Sequence, residues 1–156
     1  MMCLSLSQPW AWCVVHGPKR IENRSTASIA GVARTLIGKR IALQAAKSYD
    51  DRGAEHIRDT GLVVPMRVEL DLVAGKVIGV ATITHVFQCT NSHRGTFVGF
   101  EPPADQLVWA FGPWCFMFAD VRAIARPVVQ RGFPGFFPLP SFIESQVVDQ
   151  LEVTGG

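Results

Sequence analysis

The sequence lacks a long hydrophobic run. Although 48% of its 156 residues are hydrophobic, nowhere do apolar residues continue for the roughly 18 positions that a bilayer-crossing helix needs. No basic segment leads into an apolar one near Met1, so no secretory leader is expected. Cysteine is scarce: Cys3, Cys13, Cys89 and Cys115 form no Cys-x-x-Cys pair. Without an export signal they are expected as free, mostly buried thiols of a cytoplasmic protein. His16, His56, His85 and His93 show no metal-ligand spacing, and Cys89 with His93 is a lone pair where zinc takes three or four ligands. Neither a metal nor a cofactor is therefore expected. No phosphate-cradling loop and no dinucleotide fingerprint occur, and Ser5 and Ser7 stand near no His/Asp pair that would make a serine triad.

Charge is modest as well, at +2 net, but it is unevenly placed. Residues 1–60 carry nine Lys/Arg against five Asp/Glu, and residues 61–156 carry six against eight. A basic N-terminal part suits an anionic partner, though ordinary surface scatter gives the same numbers. Composition is that of a folded chain rather than a disordered one. With no repeat and no linker, residues 1–156 are read as one domain, with a core over about 2–140 and a C-terminal helix and tail over 141–156.

The chain is organised around Met2 to Arg24. Cys3–Ser7 reads as a short strand. Ser7 is placed as a helix N-cap, with Gln8 and Pro9 opening the first turn. Trp10, Cys13 and Val14 recur on one helix face, and Gly17-Pro18 stops the helix. Lys19 to Arg24 then alternates, with Lys19, Ile21 and Asn23 on one face and Arg20, Glu22 and Arg24 on the other. A strand charged on both faces is expected to line a groove rather than cross a dry core.

Further on, Ile29–Leu36 is expected as a helical turn in a loop, Lys39–Ala46 as a strand and Tyr49–Asp59 as an exposed helix. Leu62–Leu72 reads as a loop or edge segment. The clearest strand is Lys76–Phe87, rich in β-branched residues, with Gly79 marking a bend or bulge. Gln88–Asp105 reads as a long loop. Leu107–Phe118 reads as a strand broken at Gly112-Pro113, and Val121–Val129 as another whose Pro127 marks an edge. Gly132–Pro140 is expected to be irregular, its phenylalanines closing a barrel. Ser141 is expected to cap a helix to about Leu151, with Glu144 in the capping-box position.

Two segments carry a resemblance. Leu4, Ser5, Leu6, Gln8, Pro9, Trp10 and Ala11, followed by Gly17, Lys19, Ile21, Glu22 and Arg24, resemble the opening of the ASCH domain, itself similar to the PUA fold of RNA-modifying proteins. The segments Gly38–Leu43, Gly75–Val86 and Trp109–Trp114 extend the likeness to about Pro140. The resemblance implies an α+β fold: a mostly antiparallel PUA-like barrel of roughly five to seven strands with two to four flanking helices. It further implies binding of single-stranded RNA or a nucleoside in a groove between the first helix and the Lys19–Arg24 strand, with no membrane partner. The expected ligand-binding residues are Ser7, Gln8, Trp10, Lys19, Glu22, Arg24, Gln44 and Trp114, with Gln44 where the family often has His. The oligomeric state is left open.

Two other classes stay open beside nucleic-acid binding. Some small ASCH proteins resemble amidohydrolases of acylated cytidine, and others ribonucleases, which makes Lys19 and Glu22 the candidate catalytic pair. In the amidohydrolase branch the segment runs Gly-x-Lys-Thr-x-Thr-x-Arg, with Lys and the second Thr catalytic. Lys19 matches that Lys, whereas Glu22 stands at the second Thr, where a carboxylate cannot serve as the hydroxyl nucleophile. An acid/base pair is what Lys19 and Glu22 offer instead. The other class is a protein-interaction module. Trp109, Phe111 and Trp114 are rings that could stack a base; the plain alternatives are a salt-bridged strand for Lys19–Arg24 and core packing for Trp10, Trp109, Phe111 and Trp114.

Overall fold

Two long strands, β4 (Lys76–Asn91) and β6 (Trp114–Val129), pair antiparallel and form the spine of the molecule. The computed structural model of the chain describes residues 1–91 and 95–154. The β-branched residues that made Lys76–Phe87 legible do form β4. Its register against β6 slips at Val77/Gly79, Val80/Thr82 and Ile83/His85, and each slip adds local twist and bends the pair. Gly79 sits where a Cβ would come within 2.6 Å of the Arg122 carbonyl oxygen, so the two backbones touch there and only glycine fits.

The remaining strands extend this spine on both sides. β2 (Ile21–Arg24) lies on β6. On the other side come β3 (Arg40–Tyr49), β1 (Met2–Gln8) and β7 (Phe136–Pro138), giving the order β2-β6-β4-β3-β1-β7. β5 (Thr96–Val98) pairs with the far end of β4. The β1–β3 pairing is parallel, and the other pairings among the described residues are antiparallel. The fold is α+β, as expected, but the sheet is a curled, open half-barrel. Among the described residues β2 and β7 do not pair. Both are short, and Pro138 brings no N–H to a further ladder.

Among the described residues five α-helices flank the sheet, α1 (Trp10–Val15), α2 (Ala27–Thr35), α3 (Asp51–Asp59), α4 (Arg67–Leu70) and α5 (Ser141–Thr154), against the two to four expected. α2 reaches further back than the expected turn because Ala30 and Ala33 bury against the sheet. α3 buries Ala54 and Ile57 and so is not wholly exposed. α4 and a 3-10 turn over Asp71–Val73 occupy the segment read as a loop. The Gln88–Asp105 stretch holds the end of β4, β5 and the start of a 3-10 turn over Ala104–Trp109, so Trp109 is not on a strand. Gly132–Pro140 is not wholly irregular either, since β7 lies within it and pairs with β1. Ile143, Val147 and Leu151 of α5, one helix face at four-residue spacing, bury against Cys3, Val80, Ile124 and Phe137. Glu144 receives the Met1 ammonium at 2.5 Å, which occupies the carboxylate expected in a capping box. The inner core is Leu4, Leu6, Val14, Ile41, Leu43, Ile83, Phe116 and Phe118. No described helix is long and apolar enough to cross a membrane.

Candidate functional site

A cavity of about 1200 Å³ opens where the half-barrel is not closed, between β2 on one side and residues 130–135 on the other. Ser5, Ser7, Trp10, Lys19, Glu22, Arg24 and Gln44 all line it, so most of the residues singled out from the sequence are brought together. Asn23, Lys47, Asp50, Phe111, Arg131 and Phe133 line it as well.

Lys19 is the unusual member. Its side chain is only 1% exposed, yet it carries an amine. The strand begins at Ile21 rather than Lys19, which frees Lys19 from the alternation expected of it and lets it share the cavity with Glu22 and Arg24. Its Nζ donates to the Ile21 carbonyl and lies 5.2 Å from the centre of the Trp10 ring. Burial, and secondarily the Arg24 guanidinium, push this amine below the ordinary lysine range, while Glu22 and the Cys13 and Cys115 thiols act in the opposite sense. Glu22 pairs with Arg24 at 3.9 Å and accepts from its neighbour's backbone, Asn23 N, at 2.9 Å. Arg24 also donates to the Ser5 carbonyl at 2.7 Å, tying β2 to β1 across the cavity floor.

Trp10 is fixed from two sides. Its Nε1 donates to Asp50 at 2.8 Å, and its ring rests on Gly53, where a Cβ would approach within 2.6 Å. Asp50 caps α3 by accepting from Gly53 N at 2.9 Å. Burial pushes the Asp50 carboxyl up, but the hydrogen bonds from Gly53, Trp10 and Arg52 outweigh it and hold the carboxyl below the usual range. Phe111, 37% exposed, stands 6.1 Å from Trp10 and presents a ring to the cavity. Asn23 fixes it there, since its Oδ1 accepts from Phe111 N at 2.8 Å and from Gly112 N at 2.9 Å.

Five residues sit otherwise than expected. Ser7 is the penultimate residue of β1 and caps nothing; Pro9 holds the N-cap position of α1, and Gln8 Oε1 accepts from Trp12 N at 3.1 Å in its place. That duty turns Gln8 away from the large cavity and buries it. Trp114 does not line the cavity; its ring packs on the inner core with the Arg34 guanidinium 5.1 Å above it. Gln44 lines the cavity, but both ends of its amide are engaged: Nε2 donates to the Gln130 carbonyl, and Oε1 accepts from Ser5 Oγ at 3.0 Å. Arg20 leaves the groove to bind the carbonyls of Val14, Gly17 and Lys19, closing off the end of α1.

Sequence reasoning missed Asp50 and Asn23, and it weighed Phe111 as a base-stacking ring but preferred Trp114 for the groove. Asp50 precedes a helical pattern and carries the ordinary N-cap signal. The role of Asn23 depends on a chain segment 88 and 89 positions away and leaves no local trace. All four cysteines are free and buried, and burial pushes Cys3 and Cys115 up to about 12 and Cys13 to about 11, so none is a poised thiolate. No three His, Cys, Asp or Glu side chains among the described residues are grouped to hold a metal, and His93 lies outside the described residues.

Three crystal structures align with this fold over 95% of the chain, and all are of ASCH from Zymomonas mobilis. The unsubstituted protein is 17% identical, covered over 93% of its length, with a TM-score of 0.46. Two single-site variants align with TM-scores of 0.48 and 0.47, at 17% and 16% identity and 94% and 96% coverage. At such identities and scores no residue role transfers from them to this chain. No family model and no curated protein matches the sequence.

Proposed function

We propose that the large cavity binds single-stranded RNA. The observation that supports this reading best is its lining, which among the described residues sets Arg24, Lys47 and Arg131 against two carboxylates, Glu22 and Asp50, with the Trp10 and Phe111 rings beside them. Cations for phosphates and aromatic faces for unstacked bases are the two requirements of single-strand recognition. The ASCH-like motifs of Leu4–Arg24 add weight to it. Lys47 and Arg131 are exposed and suit phosphates; Phe111 suits a base; Lys19, buried beneath Trp10, suits chemistry rather than charge.

Titration of labelled single-stranded RNA at two salt concentrations tests this. Lys47→Ala or Arg131→Ala should each flatten the slope of log K against log salt by about 0.7. Phe111→Ala should cost about 1–3 kcal/mol of affinity at an unchanged slope. Wild-type protein that binds no RNA at low salt defeats the proposal.

The second reading is an amidohydrolase of acylated cytidine, and the observation favouring it is Lys19. A buried amine pushed below its ordinary range and sharing a cavity lining with a carboxylate is how proteins prepare a general base or nucleophile. Turnover of acylated cytidine that is lost in both Lys19→Ala and Glu22→Gln would favour this reading over RNA binding alone. RNA cleavage lost in the same two variants would favour a ribonuclease. If neither binding nor turnover is found, a protein-interaction module is the reading left.

A further inference from the structure

Glu22 and Arg24 stand two residues apart on β2, so their side chains leave the same face of the strand, and both line the large cavity. Neither is fully satisfied within the protein. Oε1 of Glu22 accepts from Asn23 N at 2.9 Å, which uses one of the roughly four lone-pair sites of a carboxylate. Oε2 has Arg24 Nη2 at 3.9 Å, beyond hydrogen-bond reach. Arg24 Nη2 donates to the Ser5 carbonyl at 2.7 Å, while its Nε and Nη1 donate to no described residue.

These free atoms are within reach of a ligand. Among the described residues, the one partnerless side-chain nitrogen or oxygen closed to solvent is Gln8 Nε2. Glu22 Oε2 and Arg24 Nε and Nη1 are therefore open, in side chains that are 10% and 23% exposed. A ring lies beside them. Asn23, the residue between the two, accepts from Phe111 N and Gly112 N on its Oδ1, and this keeps the 37% exposed Phe111 next to the strand.

The pair imposes a pattern on whatever base enters. An ionised carboxylate can only accept, and a guanidinium can only donate. Guanine matches this most fully, because its Watson–Crick edge sets two adjacent donors, N1–H and the N2 amino group, next to the O6 acceptor. Adenine and cytosine have one amino donor there, and the carboxylate would face the neighbouring ring-nitrogen lone pair. Uracil has one N–H between two carbonyls, both of which repel a carboxylate. A polar group left unpaired in such a site is what makes the wrong base costly. Resting on the single-strand reading above, we propose that this cavity selects guanine. Glu22 accepts from N1–H and the N2 amino group, Arg24 donates to O6, and the base lies on the Phe111 ring.

Short oligouridines carrying one central guanosine, adenosine, cytidine or inosine are titrated into the full chain beside plain oligouridine. The guanosine oligomer should bind about tenfold more tightly than oligouridine and the adenosine and cytidine oligomers. Inosine keeps O6 and N1–H but lacks the N2 amino group, and should fall about threefold below guanosine. Glu22→Gln must turn an NH2 toward either Asn23 N or the base, and should lose most of the guanosine preference. If that variant fails to fold, the inosine step in the wild type still decides, since the two bases differ only in the amino group that Glu22 is to accept from. Equal affinities for all, a tighter adenosine or cytidine oligomer, inosine equal to guanosine, or a preference undiminished in Glu22→Gln each overturns the proposal and leaves the single-strand reading standing. No binding of any oligomer defeats both.

Discussion

The two walls of the large cavity are built in different ways. On the α1 side, side chains from separate elements hold one another: Lys19 under the Trp10 ring, Trp10 on Asp50, and Asp50 on the first turn of α3. On the opposite side, residues 130–135 form a backbone wall, gripped by one side chain, Gln44, through the Gln130 carbonyl. A glycine seats each wall, Gly53 beneath Trp10 and Gly132 against Gln44. The contrast is between a wall whose side chains are the site and a wall that lends its backbone while leaving Arg131 and Phe133 open to replacement.

Adding one methyl group on each side breaks the comparison most directly. Alanine for glycine within a helix ordinarily gains about 1 kcal/mol. At Gly53 the new Cβ would come within 2.6 Å of three Trp10 ring atoms to within a tenth of an ångström, and overpacking of this kind costs about 3 kcal/mol. Thermal melts of Gly53→Ala should fall by roughly 4–8 °C, with a changed tryptophan emission as the indole is displaced. A rise in melting temperature would mean that the α1-side wall is not tightly seated. Gly132→Ala meets Gln44 Oε1 at 2.6 Å, the far end of a side chain with torsions to spare, and should cost only about 1 kcal/mol. Because one contact is responsible, Gln44→Ala combined with Gly132→Ala should lose less than the two single changes added together.

Replacing the lysine sharpens the same contrast, through its dependence on pH. An amine with a folded-state value below its unfolded value of about 10.4 binds fewer protons when folded, so wild-type stability should rise with pH between those two values. The penalty is largest below the folded value and is gone above the unfolded one. Lys19→Met should therefore be more stable than wild type at pH 7, by on the order of 1 kcal/mol, and the advantage should shrink toward pH 10.5. Urea denaturation at pH 7 and pH 10 measures it. A gap that is constant with pH would show that Lys19 is not suppressed by burial.

What could be read from the sequence follows the range of the forces involved. The Met2–Arg24 unit was legible because its turn and stop signals are local, Gly17-Pro18 above all, and so were Lys76–Phe87 and the bulge at Gly79. Met2–Arg24 brings Ser5, Ser7, Trp10, Lys19, Glu22, Asn23 and Arg24 to the cavity's lining, whereas the α+β class was what the resemblance implied. Local pattern failed where a distant contact decides. Period-two alternation put Lys19 opposite Glu22, whereas the ladder with β6 begins only at Ile21 and leaves Lys19 free to turn. Trp114 was expected in the groove, but it pairs within β6 against Arg24 and Gln88 and packs inward. Nothing in β1 announces that its neighbour β3 runs parallel. The engagement of Gln44 depends on a carbonyl 86 residues away, so its free amide in the sequence reading becomes a spent one in the fold.

The smallest expected effect belongs to Asp50, and it tests whether the α1-side wall is a linked unit or a set of neighbours. One oxygen of its carboxylate accepts from Gly53 N and the other from Trp10 Nε1. An asparagine has one oxygen, so Asp50→Asn must turn an NH2 toward either the helix N–H or the indole N–H and lose that bond. The loss should be about 1 kcal/mol at neutral pH. The sign with pH follows from the depressed carboxyl. Its stabilisation is present above the unfolded value of about 3.9 and fades as pH falls through the lower folded value. Wild type and Asp50→Asn should therefore converge in stability below about pH 4. Asp50→Asn should also loosen Trp10, so that Phe111→Ala and Asp50→Asn together cost less RNA affinity than their sum. Additive losses, with a stability gap that does not narrow as pH falls below about 4, would mean that Asp50 caps α3 and does nothing for the cavity.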